Sequence, residues 1–265
     1  MNFAQFTRPA LPFRIAADFS QPELPRADLT DTKLGGAPYR PVGAQWPTNM
    51  YLLAQLNLSE LPQVLDLPTT GLLQIFLPFA EGYGSYGPPF CHIDYWPTCD
   101  NPAEPLLFDG TTFRPEDVQP ERYPMRHGES GIAFTLEKCA LLNPCFGLRL
   151  TPGQVIQQLP QLNEDIDSNV PGRAEILEYL EDAAREEYLA IHAQSAQGGV
   201  QMGGFANLVQ TDFDAPAEEE LLLFQIDYDP NVMWLGDCGS LQIFIKPAAL
   251  SARNFAAART YFSCS

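Results

Sequence analysis

Basic side chains are scarce in this chain: 15 lysines and arginines stand against 33 aspartates and glutamates, a formal net charge of −18. A surface of that sign repels phosphate backbones and anionic lipid, so neither nucleic acid nor a membrane is an expected partner. A basic protein partner would be drawn in by the same field, and simple solubility is its other use. Histidine is scarcer still, with three residues, and the six cysteines, Cys91, Cys99, Cys139, Cys145, Cys238 and Cys264, are thin for 265 residues. They form no close CxxC pair of the zinc-site kind and lack the density of a disulfide scaffold. We read them as reduced thiols, mostly buried, and expect no metal and no cofactor. Long apolar runs are missing as well, both the stretch of about 18 residues that crosses a membrane and one of signal-peptide length in MNFAQFTRPALPFRIAADF, which points to a cytoplasmic protein. Neither GxxxxGK[ST] nor GxGxxG occurs, so no phosphate cradle is expected. HGESG at 127–131 departs from the GxSxG nucleophile elbow because its second glycine directly follows Ser130, and no triad can be nominated around it.

Turn formers are plentiful. Twenty-five prolines and 19 glycines punctuate short apolar runs, a pattern of strands joined by turns. MYLLAQLNL, LLQIFL, GIAFTL, FGLRL, LLLFQIDY and SLQIFI all read as strands. The expected class is therefore mainly β (α+β), with a few peripheral helices. The strongest helix is predicted over 173–194, where Ile176, Leu180, Ala184 and Ile191 share one face and Glu178, Glu181, Asp182 and Glu186 crowd the other. A short helix is predicted from Thr151 to before Pro160, with Pro152 at its first position, and a third over ALSARNFAAARTYF, with Leu250, Phe255 and Phe262 available for docking. Residues 82–129 should form loops and irregular strands.

LQIF occurs twice, and its surroundings recur with it. Gly35 and Gly36 match Gly203 and Gly204, 168 positions on, and Gly71, Leu73, Gln74, Ile75 and Phe76 match Gly239, Leu241, Gln242, Ile243 and Phe244 at the same offset. Between them Leu52, Leu53, Gln55 and Leu56 match Leu222, Leu223, Gln225 and Ile226, 170 positions on. Three blocks in one order point to an internal duplication, with units at about 32–80 and 200–247 and an insert at 81–199. Strict alternation would place Leu52, Ala54, Leu56 and Leu58 on one strand face, with Leu53, Gln55 and Asn57 opposite, and likewise Leu222, Phe224, Ile226 and Tyr228 opposite Leu223, Gln225 and Asp227. One unit alone would expose apolar sheet, so the two are expected to pack about a pseudo-twofold axis.

KLGGAPYRPVGAQWP with YLLAQLNLSELP and GLLQIF, then MGGFANLVQTD, LLLFQID, WLGDCGSLQIF and YFSCS, resemble the YwqG-like family of largely bacterial proteins of unknown function. The resemblance spans roughly 32–77 and 200–265. It implies one domain over 1–265, built from duplicated, strand-swapped β units, and distant kinship with ribosomal-protein chaperones of the programmed-cell-death-protein-two type. It also implies roles in toxin immunity or protein binding, and no established catalytic residues. GGVQMGG lacks a histidine that the family pattern would place just before the second GG, which weakens any mechanism needing an imidazole there.

Candidate ligand- or partner-binding residues are Gln55, Gln225, Asp227, Trp234 and Asp237. Asp227, Asp229 and Asp237 bracket Trp234 and could make an acidic, aromatic-edged site for a sugar or a basic side chain; Asp237 could equally hold a turn. Buried glutamines must satisfy both amide ends, so Gln55 and Gln225 either tie the repeats together or line a cleft, and structure is the favoured reading. Gly35, Gly36, Gly203 and Gly204 are assigned to tight turns, Trp46 to a core or interface, and the acidic runs at 186–187 and 218–220 to solvated surface. Three functions stay open: a chaperone-like or immunity-type binding module for a basic polypeptide, a hydrolase of sugar or peptide using Asp227, Asp237 and Gln225 between the repeats, and a passive structural subunit that only self-associates.

Overall fold

In the computed structural model, residues 7–16, 27–48, 50–78, 91–100, 147–159, 181–194, 199–208, 219–229, 232 and 238–263 are described. Their strands are β1 (Arg8–Ile15), β2 (Lys33–Leu34), β3 (Met50–Asn57), β4 (Leu72–Pro78), β5 (His92–Trp96), β6 (Leu148–Pro152), β7 (Ile156–Gln158), β8 (Val200–Gly203), β9 (Leu221–Asp227), β10 (Ser240–Ile245) and β11 (Arg259–Ser263). Two helices accompany them, α1 (Asp182–Gln194) and α2 (Pro247–Ser251). The chain is mainly β, as its punctuated apolar runs foretold, and all pairings among the strands are antiparallel.

The strands form one 11-stranded sheet in the order β11-β10-β9-β8-β1-β6-β2-β3-β4-β5, with β7 beside β1. β2 to β5 occupy one side and β8 to β11 the other, while β1 pairs with β8 and β6 with β2, so each half receives a strand from outside its own run. Registers correspond across the centre. Lys33 opposes Gln55 as Gln201 opposes Gln225, and Gln55 opposes Gln74 as Gln225 opposes Gln242. Phe76 opposes His92 as Phe244 opposes Arg259. At the centre Arg14 faces Thr151, flanked by Phe13 with Pro152 and Ile15 with Leu150.

A register shift interrupts both hairpins at the same place, between Leu52 and Ala54 in β3 and opposite Leu222 and Phe224 in β9. The extra residue of a bulge reverses the alternation beyond it. Leu53 and Leu223 therefore join the main core, while Leu52 packs with Met50, Phe76 and Trp46, and Leu222 with Phe244 and Tyr261. This corrects the strict alternation, which put Leu52 with Ala54 and Leu56.

One expected helix is replaced by strands and another is cut short. Thr151 and Pro152 end β6 opposite Arg14 and Phe13, and Ile156 to Gln158 form β7; long-range pairing with β1 outweighs the local capping signature. Near the C-terminus α2 stops at Ser251, and Arg253 takes a left-handed conformation with φ 57°. A 3₁₀ turn over Phe255–Ala257 and β11 follow. The helix predicted over 173–194 is present from Asp182, with Ala184, Tyr188 and Ile191 packed on Leu159; Ile176 and Leu180, like GIAFTL and HGESG, lie outside the described residues. Among those residues no helix is long and apolar enough to cross a membrane.

Candidate functional site

Each half is organised around a pair of glutamines opposed across its central hairpin. After β2 the chain runs through Gly35 and Gly36, at φ 57° and 73°, and after β8 through Gly203 and Gly204, at 69° and 71°. Left-handed backbone is strained for residues with a Cβ, and at Gly204 a Cβ would also stand 2.1 Å from Gln158 Oε1. The double turn lays the following segment over the outer face of its own hairpin, and the glutamines hold it there. Gln55 Oε1 accepts from Tyr39 N–H at 2.9 Å and Gln74 Nε2 donates to the Tyr39 carbonyl at 2.6 Å. In the other half Gln225 Oε1 accepts from Asn207 N–H and Gln242 Nε2 donates to the Asn207 carbonyl, both at 2.7 Å.

All four glutamines are fully buried, so the remaining ends of their amides matter. In the first half Gln55 Nε2 donates to the Leu29 and Asp31 carbonyls, both at 2.9 Å, and Gln74 Oε1 accepts from Trp96 Nε1 at 2.9 Å and Arg40 Nη1 at 3.3 Å. In the second half Gln225 Nε2 and Gln242 Oε1 have no hydrogen-bond partner among the described residues. Gln55 and Gln225 thus each bond within their own half and do not tie one half to the other.

Asp227 belongs to the same device. Its carboxylate accepts from Gly199 N–H at 2.8 Å, Asn207 Nδ2 at 2.9 Å and the Ser240 hydroxyl. Burial raises its carboxyl above the usual range, and those three donors partly counter the rise. Trp234 and Asp237 lie outside the described residues. Trp46 donates from its indole to the Met50 carbonyl at 2.7 Å and meets Phe76 edge-on, a packed aromatic as expected.

Sequence reasoning passed over a polar cluster on the outer face of β4 and β5. Arg40, 4% exposed, lies over the rings of Trp96 and Phe76, at 5.1 and 5.7 Å. It donates to Asp94, Gln74 and the Gln45 carbonyl. The second Asp94 oxygen meets His92 Nε2 at 2.9 Å, and His92 is about half exposed. Alternation in HIDYW carries a signal that His92, Asp94 and Trp96 share a face; nothing local marks Arg40, which reaches them because the turn at Gly35 and Gly36 lays its segment over the hairpin.

Lys33 is buried opposite Gln55, with Nζ 2.6 Å from the Asp28 carbonyl and 3.2 Å from that of Leu29. Desolvation pushes its ammonium down to about 8, against the attraction of Asp31 and Asp28. Burial pushes the Cys91 thiol up to about 12, the opposite of an activated nucleophile. Among the described residues no group of three or more His, Cys, Asp or Glu side chains could hold a metal ion. Comparison with known families finds a match: the model of a family described as "Domain of unknown function (DUF1963)" covers residues 32–264. No curated protein matches the chain.

Proposed function

The chain belongs to the DUF1963 domain family, and from that premise we propose that it is a protein-binding module, chaperone-like or of the immunity type, that engages a basic polypeptide. The reading includes the finer assignment to the YwqG-like kind and the descent of the two halves from one duplicated unit. Matching glutamine clamps, bulges and glycine turns support the duplication.

The observation that carries the binding reading is the distribution of charge. Arg40, Arg149, Lys246, Arg253 and Arg259 each stand beside a carboxylate, and Lys33 is sealed under backbone carbonyls. Among the described residues these six cations are thus held against carboxylates or carbonyls of the chain itself, and the full sequence carries a net charge of −18 that favours a partner of opposite sign. The hydrolase reading would need Gln225 and Asp227 as working groups. Gln225 Oε1 and the Asp227 carboxylate instead hold Asn207 and Gly199, which favours binding.

Fluorescence anisotropy tests this with two labelled peptides of equal length, one rich in arginine and lysine and one rich in glutamate. The basic peptide should bind, more weakly as salt is raised. A basic peptide bound no better than the acidic one would defeat the reading.

A further inference from the structure

β5 ends the sheet, and its five residues, HIDYW, pair with β4 without a register shift. Among the described residues no strand and no hydrogen bond to its backbone reaches its other side. Unpaired N–H and C=O groups on a sheet edge recruit further strands, and edges are ordinarily blunted by shortness, a charged side chain, a proline, a bulge or a covering segment; β5 is short and its one carboxylate, Asp94, is turned to Arg40 and His92. β5 contains no lysine, no proline and no bulge. It carries apolar surface instead: Ile93 and Tyr95 pack only partly against the core, and Trp96 is half-buried on the outer face. The opposite end of the sheet differs, because β11 bears Arg259 locked to Glu220 at 2.6 Å, and Arg259, Thr260 and Tyr261 make further interactions.

We propose that the β5 edge is the docking strand of this protein, to which an extended segment of a basic polypeptide adds as a further antiparallel or parallel strand. The proposal rests on the basic-partner reading and says where and in what conformation the partner binds. Charge selects the occupant. A second copy of the chain would bring another −18 to the edge, whereas a basic segment is attracted by the net charge of the chain. Backbone hydrogen bonds supply affinity in such strand addition, and alternate side chains of the incoming segment fall beside His92, Asp94 and Trp96.

The test uses the full chain and a labelled peptide alternating arginine and valine, alongside the same peptide with every backbone nitrogen methylated. The two carry equal charge, but the methylated one donates no backbone hydrogen bond. The unmethylated peptide should bind at least about ten-fold more tightly, and hydrogen exchange should slow at amides within 92–96. Equal binding of both peptides overturns strand addition and leaves the basic-partner reading standing; binding of neither removes both. Protection confined to other residues, or protection of 92–96 by self-association without peptide, also overturns the proposal, the latter in favour of a second copy as occupant.

Discussion

Lys33 and Gln201 stand at corresponding places, each opposite the first glutamine of its half, yet one is an ammonium and the other a neutral amide. Lys33 titrates at about 8 in the fold and near 10.5 when unfolded. Below pH 8 it is charged in both states and the fold bears the full cost of burying it. Between 8 and 10.5 the folded chain sheds the proton first and that cost is relieved, so stability contributed by this residue rises with pH. Lys33→Gln should abolish the rise, a difference of about 3 kcal/mol across the window, seen as urea midpoints of wild type and variant whose spacing changes between about pH 7 and 10. The clamps invite a second comparison. Gln55 satisfies four partners with its amide, whereas Gln225 has no partner at Nε2 among the described residues. Each buried group left unsatisfied costs about 1–3 kcal/mol, so Gln55→Met should lower the unfolding free energy by roughly twice as much as Gln225→Met. Alkylation gives a third: iodoacetamide near neutral pH should modify exposed Cys238 well before Cys91, whose thiol stays protonated until about pH 12.

At the scale of elements, what could be read from the chain depended on whether the signal was local. β3, β4, β9 and β10 were legible because they are short apolar runs between turn formers, and their burial on both faces explains why they run nearly continuous instead of alternating. The bulges were not legible: one inserted residue changes no composition, and only the partner strand reveals it. β1 went unrecognised because RPALPFRI holds two prolines, which normally argue against an interior strand. Its neighbours accommodate them by division. β7 pairs with Arg8 to Ala10 and β6 with Phe13 to Ile15, and between them Gly153 N–H reaches the Pro12 carbonyl at 2.8 Å. In the candidate site the glutamines could be picked out by their repetition and Asp227 by its place among the aspartates around Trp234, whereas Arg40, His92 and Asp94 could not, since their meeting depends on the glycine turns. Those turns are separable from ordinary ones. Gly43, at φ 86°, has open space where a methyl would stand, while at Gly204 a Cβ would fall 2.6 Å from the Ala10 Cβ as well as against Gln158. Gly43→Ala should cost only the left-handed strain of about 1–2 kcal/mol; Gly204→Ala should cost clearly more, because the clash adds to the strain, and equal melting shifts for the two would contradict that account.

At the scale of the molecule, the centre of the sheet is the part the family boundary leaves out. The match begins at residue 32, but β1, at Arg8–Ile15, lies between β8 on one side and β6 with β7 on the other. Ala10 and Leu11 are fully buried and Phe13 nearly so, and Leu11 and Phe13 sit in the main core with Leu148, Leu150 and Met202. Removing β1 would uncover that apolar surface and leave the facing edges of β8, β6 and β7 unpaired at once, so the two halves would lose the strand that joins them. A fragment of residues 32–264 should therefore show no cooperative thermal transition by circular dichroism, and a synthetic peptide of residues 7–16 added in trans should restore one in proportion to its concentration. A fragment that melts cooperatively without the peptide, within a few degrees of the full chain, would show that the halves hold together by their other contacts, among them Tyr95 against Phe255 and Arg253 against Asp66, and that β1 merely covers a sheet already formed.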